Sequence, residues 1–228
     1  MDTVLITGAN RGIGLALTRK FLSAEYQVIA CCRNPNAATA LNTLAVSASV
    51  TVHSLDVSDE QSVSALHQVL GRQPVDILIN NAGVYGGDNQ AIDNMDYAAW
   101  REAIEVNMIA PFRMVSAFRE NLARASRPRV ITISSQMGAL NRKSKGAHAY
   151  RSSKAAVNKL MQVLALDLKD DDIIVCPVHP GYVRTDMGGP GADISAEESA
   201  DGIFTLAQSL SMEQSGRFWT WQGDEHPW

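Results

Sequence analysis

Cysteine is scarce in this chain: Cys31, Cys32 and Cys176 are the only three in 228 residues. They form no CxxC pair and no zinc-ligand spacing, which excludes a disulfide framework and a zinc module. All three sit in apolar runs that read as strands, so buried thiols in a reducing compartment are expected. His53, His67, His148, His179 and His226 are dispersed, leaving no cluster to hold a metal. Positive charge is not in excess. Twenty Lys and Arg against 24 Asp and Glu give a net charge of −4, which offers nothing to a nucleic acid. No apolar run is long enough to span a bilayer, and Met1-Asp2-Thr3 leads into Val4-Leu5-Ile6 without a basic region or signal core. The expectation is a soluble, cytoplasmic protein with no membrane contact and no export signal.

What the chain does have is an ordinary globular balance, 46% hydrophobic and 19% charged. Short β-branched runs alternate with longer helical patterns. Strands are predicted at 4–7, 28–32, 50–55, 76–80, 130–134 and 173–178, with a last aromatic strand at 217–221. Helices are predicted at 12–24, 37–45, 60–70, 97–105, 107–124, 150–168 and 196–210, the third opened by the cap signal Ser58-Asp59. Apolar strands without alternation are those of a parallel sheet covered on both faces. The pattern predicts an α/β fold: a doubly wound, mostly parallel sheet with helices on both faces. No repeat, low-complexity tract or linker divides residues 1–228, so a single domain is expected.

Two segments carry chemistry. Tyr150-Arg151-Ser152-Ser153-Lys154 places a phenol and an ammonium four residues apart on a helix, hence on one face. A nearby cation favours phenolate and draws the Tyr pKa down from ~10 toward neutrality, where acid/base chemistry is efficient. The first strand ends in Thr7-Gly8-Ala9-Asn10-Arg11-Gly12-Ile13-Gly14, a glycine turn leading into a helix. Such a turn lets a pyrophosphate approach the exposed N–H groups and positive dipole of the helix. Its G-x-x-x-G-x-G spacing differs from the general G-x-G-x-x-G fingerprint.

Together these segments resemble the short-chain dehydrogenase/reductase family, and the resemblance runs in order along the whole chain. Asn80-Asn81-Ala82-Gly83, Asn107, Ser134-Ser135 and Pro180-Gly181-Tyr182-Val183-Arg184-Thr185 stand where that family has its remaining motifs. The ending 216–228 is similar to the subgroup that includes sniffer carbonyl reductases and bacterial C-factor proteins. The resemblance implies a catalytic set of Asn107, Ser135, Tyr150 and Lys154. Tyr150 would give a proton to a carbonyl oxygen, or take one in reverse. Lys154 would lower the Tyr150 pKa and hold the nicotinamide ribose, Ser135 would bond the substrate oxygen, and Asn107 would anchor a water. It further implies cofactor contacts from Gly8, Asn10, Arg11, Gly12, Ile13, Gly14, Asp56, Val57, Asn81, Ala82, Gly83, Pro180, Gly181, Val183 and Thr185. Ser135 precedes Tyr150 by fifteen residues, more than the family commonly has, with the extra length in the basic loop Asn141-Arg142-Lys143-Ser144-Lys145-Gly146. Ser134 should point to the opposite face of its strand.

The cofactor follows from charge. Cys31-Cys32-Arg33-Asn34 ends the second strand without the Asp or Glu that accepts from the ribose of NAD. Arg33 and Arg11 can instead clamp a 2′-phosphate, which favours NADP(H). The reading is an NADPH-dependent carbonyl reductase, with a dinucleotide-binding regulatory or signalling protein as the rival. Gln136, Met137, Tyr85, Tyr182 and Met187 are candidates for the substrate pocket. His179 is expected to satisfy backbone groups at a strand end. Surplus apolar residues on 107–124 and 150–168, Met114 and Phe118 among them, suggest a homodimer packed on these two helices.

Overall fold

The structure, a computed structural model, describes residues 1–228. Its centre is a parallel sheet of seven strands: β1 (Thr3–Thr7), β2 (Gln27–Cys32), β3 (Val50–Ser54), β4 (Ile77–Asn80), β7 (Arg129–Ile133), β8 (Ile174–His179) and β9 (Trp219–Thr220). Their order is β3-β2-β1-β4-β7-β8-β9. The chain builds outward from β1 in one direction, then returns to lay β4 on its other side. The strand order reverses there, so the crossover helices diverge and leave a crevice above the carboxyl ends of β1 and β4.

Alternation along β1 shows why both faces are covered. Val4 and Ile6 join one core with Phe21, Ile203 and Leu206, while Leu5 joins the other with Leu78, Met114, Phe118 and Met161. The first core lies under α1 (Gly12–Ser23) and α7 (Ala196–Ser209). The second lies under α3 (Glu60–Leu70), α5 (Ala110–Leu122) and α6 (His148–Asp167). All three cysteines are free and buried. No helix is long and apolar enough to cross a membrane.

Several boundaries differ from the pattern reading. The predicted helix at 37–45 is a 3₁₀ turn, Pro35–Ala37, followed by a short α2 (Thr39–Leu44). The last strand contracts to Trp219–Thr220. A small hairpin, β5 (Gln90–Ala91) with β6 (Asn94–Met95), appears where no strand was expected. The two helices predicted at 97–105 and 107–124 form one rod: α4 (Tyr97–Ile104) runs through a π-helical turn at Glu105–Ile109 into α5. Periodicity could not see this, because one extra residue in a turn shifts the apolar phase without ending the helix.

Met114 and Phe118 are fully buried within the fold and are not available to a partner. The apolar side chains of this region that do face outward are Ile109, Phe112, Val163 and Leu166. Period counting marked the right helices but not which of their faces lies on the sheet.

Candidate active site

A cleft of about 1160 Å³ opens at the carboxyl ends of the strands. On its nucleotide side stands the glycine turn. Gly14 lies beneath the surface, where a Cβ would come 2.2 Å from the Gly8 carbonyl oxygen and 2.5 Å from the Asn81 amide nitrogen. The turn is closed by close approach of backbone, as a dinucleotide cradle requires. Helix α1 has no side-chain cap and no acidic residue in its first turn, so its N-terminal N–H groups stay available to an anion. Asn81 fixes the turn from β4 by donating to the carbonyls of Thr7 at 2.9 Å and Gly8 at 3.0 Å. The Thr7 hydroxyl in turn accepts from the Asn81 and Ala82 backbone N–H groups at 3.0 Å each.

Gly8, Asn10, Arg11, Gly12 and Ile13 line this side, with Arg33, Asp56 and Val57 from the ends of the next two strands. Asn81, Ala82 and Gly83 form the floor, and Pro180, Gly181, Val183 and Thr185 the opposite wall. Asp56 accepts from the Ser58 hydroxyl at 2.6 Å and the Ser58 N–H at 2.9 Å. The Ser58 hydroxyl, and less strongly the nearby Arg33 charge, hold its carboxyl below the usual range. Arg33 makes no ion pair, whereas Arg11 pairs with Asp186 across the cleft mouth. Both partners of that pair are largely exposed, so it is weak, worth ~0–1 kcal/mol.

At the other end of the cleft Tyr150, Ser135 and Lys154 converge. Helix α6 brings Lys154 Nζ to 5.7 Å from the centroid of the Tyr150 ring, one turn back. Lys154 is buried, and its Nζ donates to the Ile133 carbonyl at 2.7 Å. Burial alone pulls its pKa down to about 8. Burial likewise pushes the Tyr150 phenol up to about 12, opposed by a hydrogen bond with Ser135 and reinforced by Tyr85. In this structure, therefore, the Tyr150 pKa lies above its ordinary value despite the Lys154 charge beside the ring. Desolvation outweighs a cation held beside the ring and already engaged by a carbonyl.

The two serines separate as strand geometry demands. The Ser134 hydroxyl points back and donates to Asn158 on α6. Ser135 faces the cleft and caps the 3₁₀ turn Gln136–Gly138, accepting from Met137 N–H at 3.1 Å. Asn107 does not reach the cleft surface. Its Oδ1 accepts from Val84 N–H at 2.9 Å, and its Nδ2 donates to the Val84 carbonyl at 2.8 Å and to Ser153 Oγ at 2.9 Å. Asn107 Oδ1 and Lys154 Nζ both lie beside Gly83, 3.2 and 3.7 Å from where a Cβ on it would stand.

With this geometry in view, the comparisons with known proteins are decisive. The family model described as short chain dehydrogenase matches residues 2–195. The chain belongs to the short-chain dehydrogenase/reductase family. C-signal of Myxococcus xanthus is 41% identical over 156 residues, which cover 68% of this chain and 93% of that protein. The carbonyl reductase Sniffer of Drosophila melanogaster superposes with a TM-score of 0.94 at 28% identity, covering 100% of both chains. An NADPH-bound carbonyl reductase from chicken fatty liver does so at 0.93 and 32% identity, covering 100% of this chain and 99% of that one.

Within this short-chain dehydrogenase/reductase, Gln136, Met137, Tyr85, Tyr182 and Met187 all line the cleft, as the sequence suggested. Arg142 of the basic loop reaches Gln136, while Lys143 and Lys145 stay exposed. His179 departs from expectation: its Nδ1 is buried with no partner, and no backbone group is satisfied by its ring. Burial, with the His226 and Arg142 charges, drives its pKa down to about 4. Two contributors escaped sequence reading. A Cβ on Gly138 would come 2.5 Å from the Lys154 carbonyl carbon, so this glycine lets the Ser135 turn rest on α6. Ser153 ties Asn107 to the Tyr150 carbonyl, to which its hydroxyl donates at 2.8 Å. Gly138 stood in no motif, and Ser153 lay within the Tyr150–Lys154 segment without a role there, because each acts through a tertiary contact.

Proposed function

We propose that the chain is an NADP(H)-dependent reductase that converts a ketone or aldehyde to an alcohol, or the reverse, within one unit of residues 1–228 that binds the dinucleotide and performs the chemistry. The observation that carries this reading is the convergence of the Tyr150 and Ser135 hydroxyls with buried Lys154 at the end of a glycine-turn cleft. When bound, the reduced nicotinamide supplies the hydride. Ser135 accepts the substrate into position by donating to its carbonyl oxygen. Tyr150 passes its phenolic proton to that oxygen as negative charge develops there. A phenol kept protonated by burial is a competent donor at neutral pH. Lys154, cationic below about pH 8, stabilises the phenolate left behind and offers its N–H groups to the ribose.

Arg33 supports a phosphorylated ribose, since it stands at the cleft without a carboxylate partner. Arg11 can leave the weak pair with Asp186 for a doubly charged phosphate. The NADPH-bound chicken reductase points the same way. The exposed Ile109, Phe112, Val163 and Leu166 support a homodimer built on α5 and α6. The likeness to C-signal favours one rival, a dinucleotide-binding regulatory protein, but binding alone would need neither Ser135 nor the Tyr150 hydroxyl.

The test is a carbonyl-substrate screen following NADPH absorbance, with Tyr150→Phe as control. That variant keeps the ring and should bind NADPH normally while turnover falls ~10²–10⁴-fold, the usual contribution of general acid catalysis. Turnover within about threefold of wild type would remove Tyr150 from the mechanism.

A further inference from the structure

The helix that carries Tyr150 and Lys154 has no cap of its own. Its N-cap residue is Ala147, at φ 51°, with no side-chain acceptor to offer the first-turn N–H groups. Gln90 supplies the acceptor from a distance of sixty residues: its Oε1 takes the Tyr150 backbone N–H at 3.1 Å. The same amide donates from Nε2 to the carbonyls of Tyr85 at 2.9 Å and Gly87 at 2.8 Å. The Gln90 carbonyl lies 2.6 Å from His148 Nδ1, in the first turn of α6. Gln90 is only 6% exposed, so water does not substitute for these partners. Gly86, at φ 89°, brings the segment so close that a Cβ there would stand 2.9 Å from the Ala149 Cβ.

These bonds join two parts of the site that the chain leaves separate. Tyr85 lines the cleft, and its ring centroid is 5.1 Å from that of Tyr150. Gln90 holds the Tyr85 main chain on one side and the Tyr150 main chain on the other. The requirement is specific to an amide. Glu could accept from Tyr150 but could not donate to the two carbonyls, and Met could do neither.

We propose that Gln90 is a positioning residue for proton transfer by Tyr150, capping the catalytic helix at that tyrosine and fixing the Tyr85 wall against it. This role rests on the reductase reading above. Gln90 does not line the cleft, so its loss should leave dinucleotide binding intact while displacing the phenol from its productive place. A misplacement on the order of 1 Å can cost ~10²-fold in rate.

The experiment compares wild type, Tyr150→Phe, Gln90→Met and Gln90→Glu, each full length, with NADPH and a carbonyl compound that the wild type reduces. For Gln90→Met, kcat should fall about tenfold or more, with the NADPH Kd from fluorescence titration within about twofold of wild type. Gln90→Glu keeps the cap, so it should lie between them in kcat. Its carboxylate near Tyr150 should also disfavour the phenolate and shift upward the acidic limb of the alcohol-oxidation pH profile, where activity rises as Tyr150 ionises, a change that lost folding stability alone would not produce. A lower Tm with kcat and pH profile unchanged in the folded variants overturns the proposal. Should Gln90→Met fail to fold, Gln90→Glu decides alone: kcat within about twofold and an unshifted profile overturn it. A wild type that reduces no carbonyl compound in the screen sinks the reductase reading, whereas turnover that survives in Tyr150→Phe removes Tyr150 from the mechanism and this role with it. Tyr150-dependent turnover untouched by both Gln90 variants sinks only the role of Gln90.

Discussion

Replacing Asn107 by Leu tests how the Tyr150 end of the cleft is held. The two side chains are similar in size, so little cavity is created and the effect is that of lost hydrogen bonds. Asn107 is 1% exposed and makes three of them, two to the Val84 backbone and one to Ser153. Each polar group stranded without a partner costs ~1–3 kcal/mol. Val84 is only partly buried and can recover some solvation, which places the total at the lower end, ~2–4 kcal/mol. At ~2–4 °C per kcal/mol for a chain of this size, Tm should fall by ~4–16 °C. Urea unfolding followed by circular dichroism gives the free energy directly, and the m value should not change if the fold is retained. Activity should fall further than stability, because Ser153 bonds the carbonyl of Tyr150 and Asn107 shares the surroundings of Gly83 with Lys154. A loss below ~0.5 kcal/mol would mean that Val84 and Ser153 find partners easily, and would refute the brace.

Three further outcomes are expected. Lys154 has its pKa lowered to about 8, so its cationic form is lost as pH rises through that value, while Tyr150 stays protonated to about 12. Reduction measured as kcat/KM for NADPH should therefore decline above about pH 8, tenfold per unit, and Lys154→Arg should abolish that limb; a profile flat to pH 10 would contradict the lysine role. Arg33→Asp should reverse the charge at the ribose site and weaken NADPH by roughly 2–4 kcal/mol in a titration at moderate salt, with NADH little affected. Wild-type protein binding NADH as tightly as NADPH would overturn the cofactor assignment. Phe118→Asp should unfold the chain, since Phe118 is in the core, whereas Leu166→Asp should leave the fold intact. If light scattering finds a dimer that Leu166→Asp leaves unchanged in mass, the partner surface lies elsewhere.

Sequence alone determined the architecture and picked out many of the residues that line the cleft. Six apolar runs in regular alternation with helical patterns admit few folds other than a doubly wound parallel sheet, because such strands must be covered on both faces. Local spacing also fixed what local geometry controls: Tyr150 and Lys154 on one helical face, glycines at the first turn, and Ser135 turned away from Ser134. Tertiary structure decided the rest. Whether Lys154 lowers the Tyr150 pKa depends on the balance of desolvation against charge, and burial cannot be read from a four-residue spacing. Which face of α5 is buried, and so why Met114 and Phe118 serve the core, depends on how a π turn rotates the rod on the sheet. Arg11 finds Asp186, and Gln90 caps a helix sixty residues away, through contacts for which sequence leaves no periodic trace. Periodicity and spacing report interactions between residues a turn or a strand step apart. The long-range hydrogen bonds that set side-chain position arise only once the chain has closed on itself.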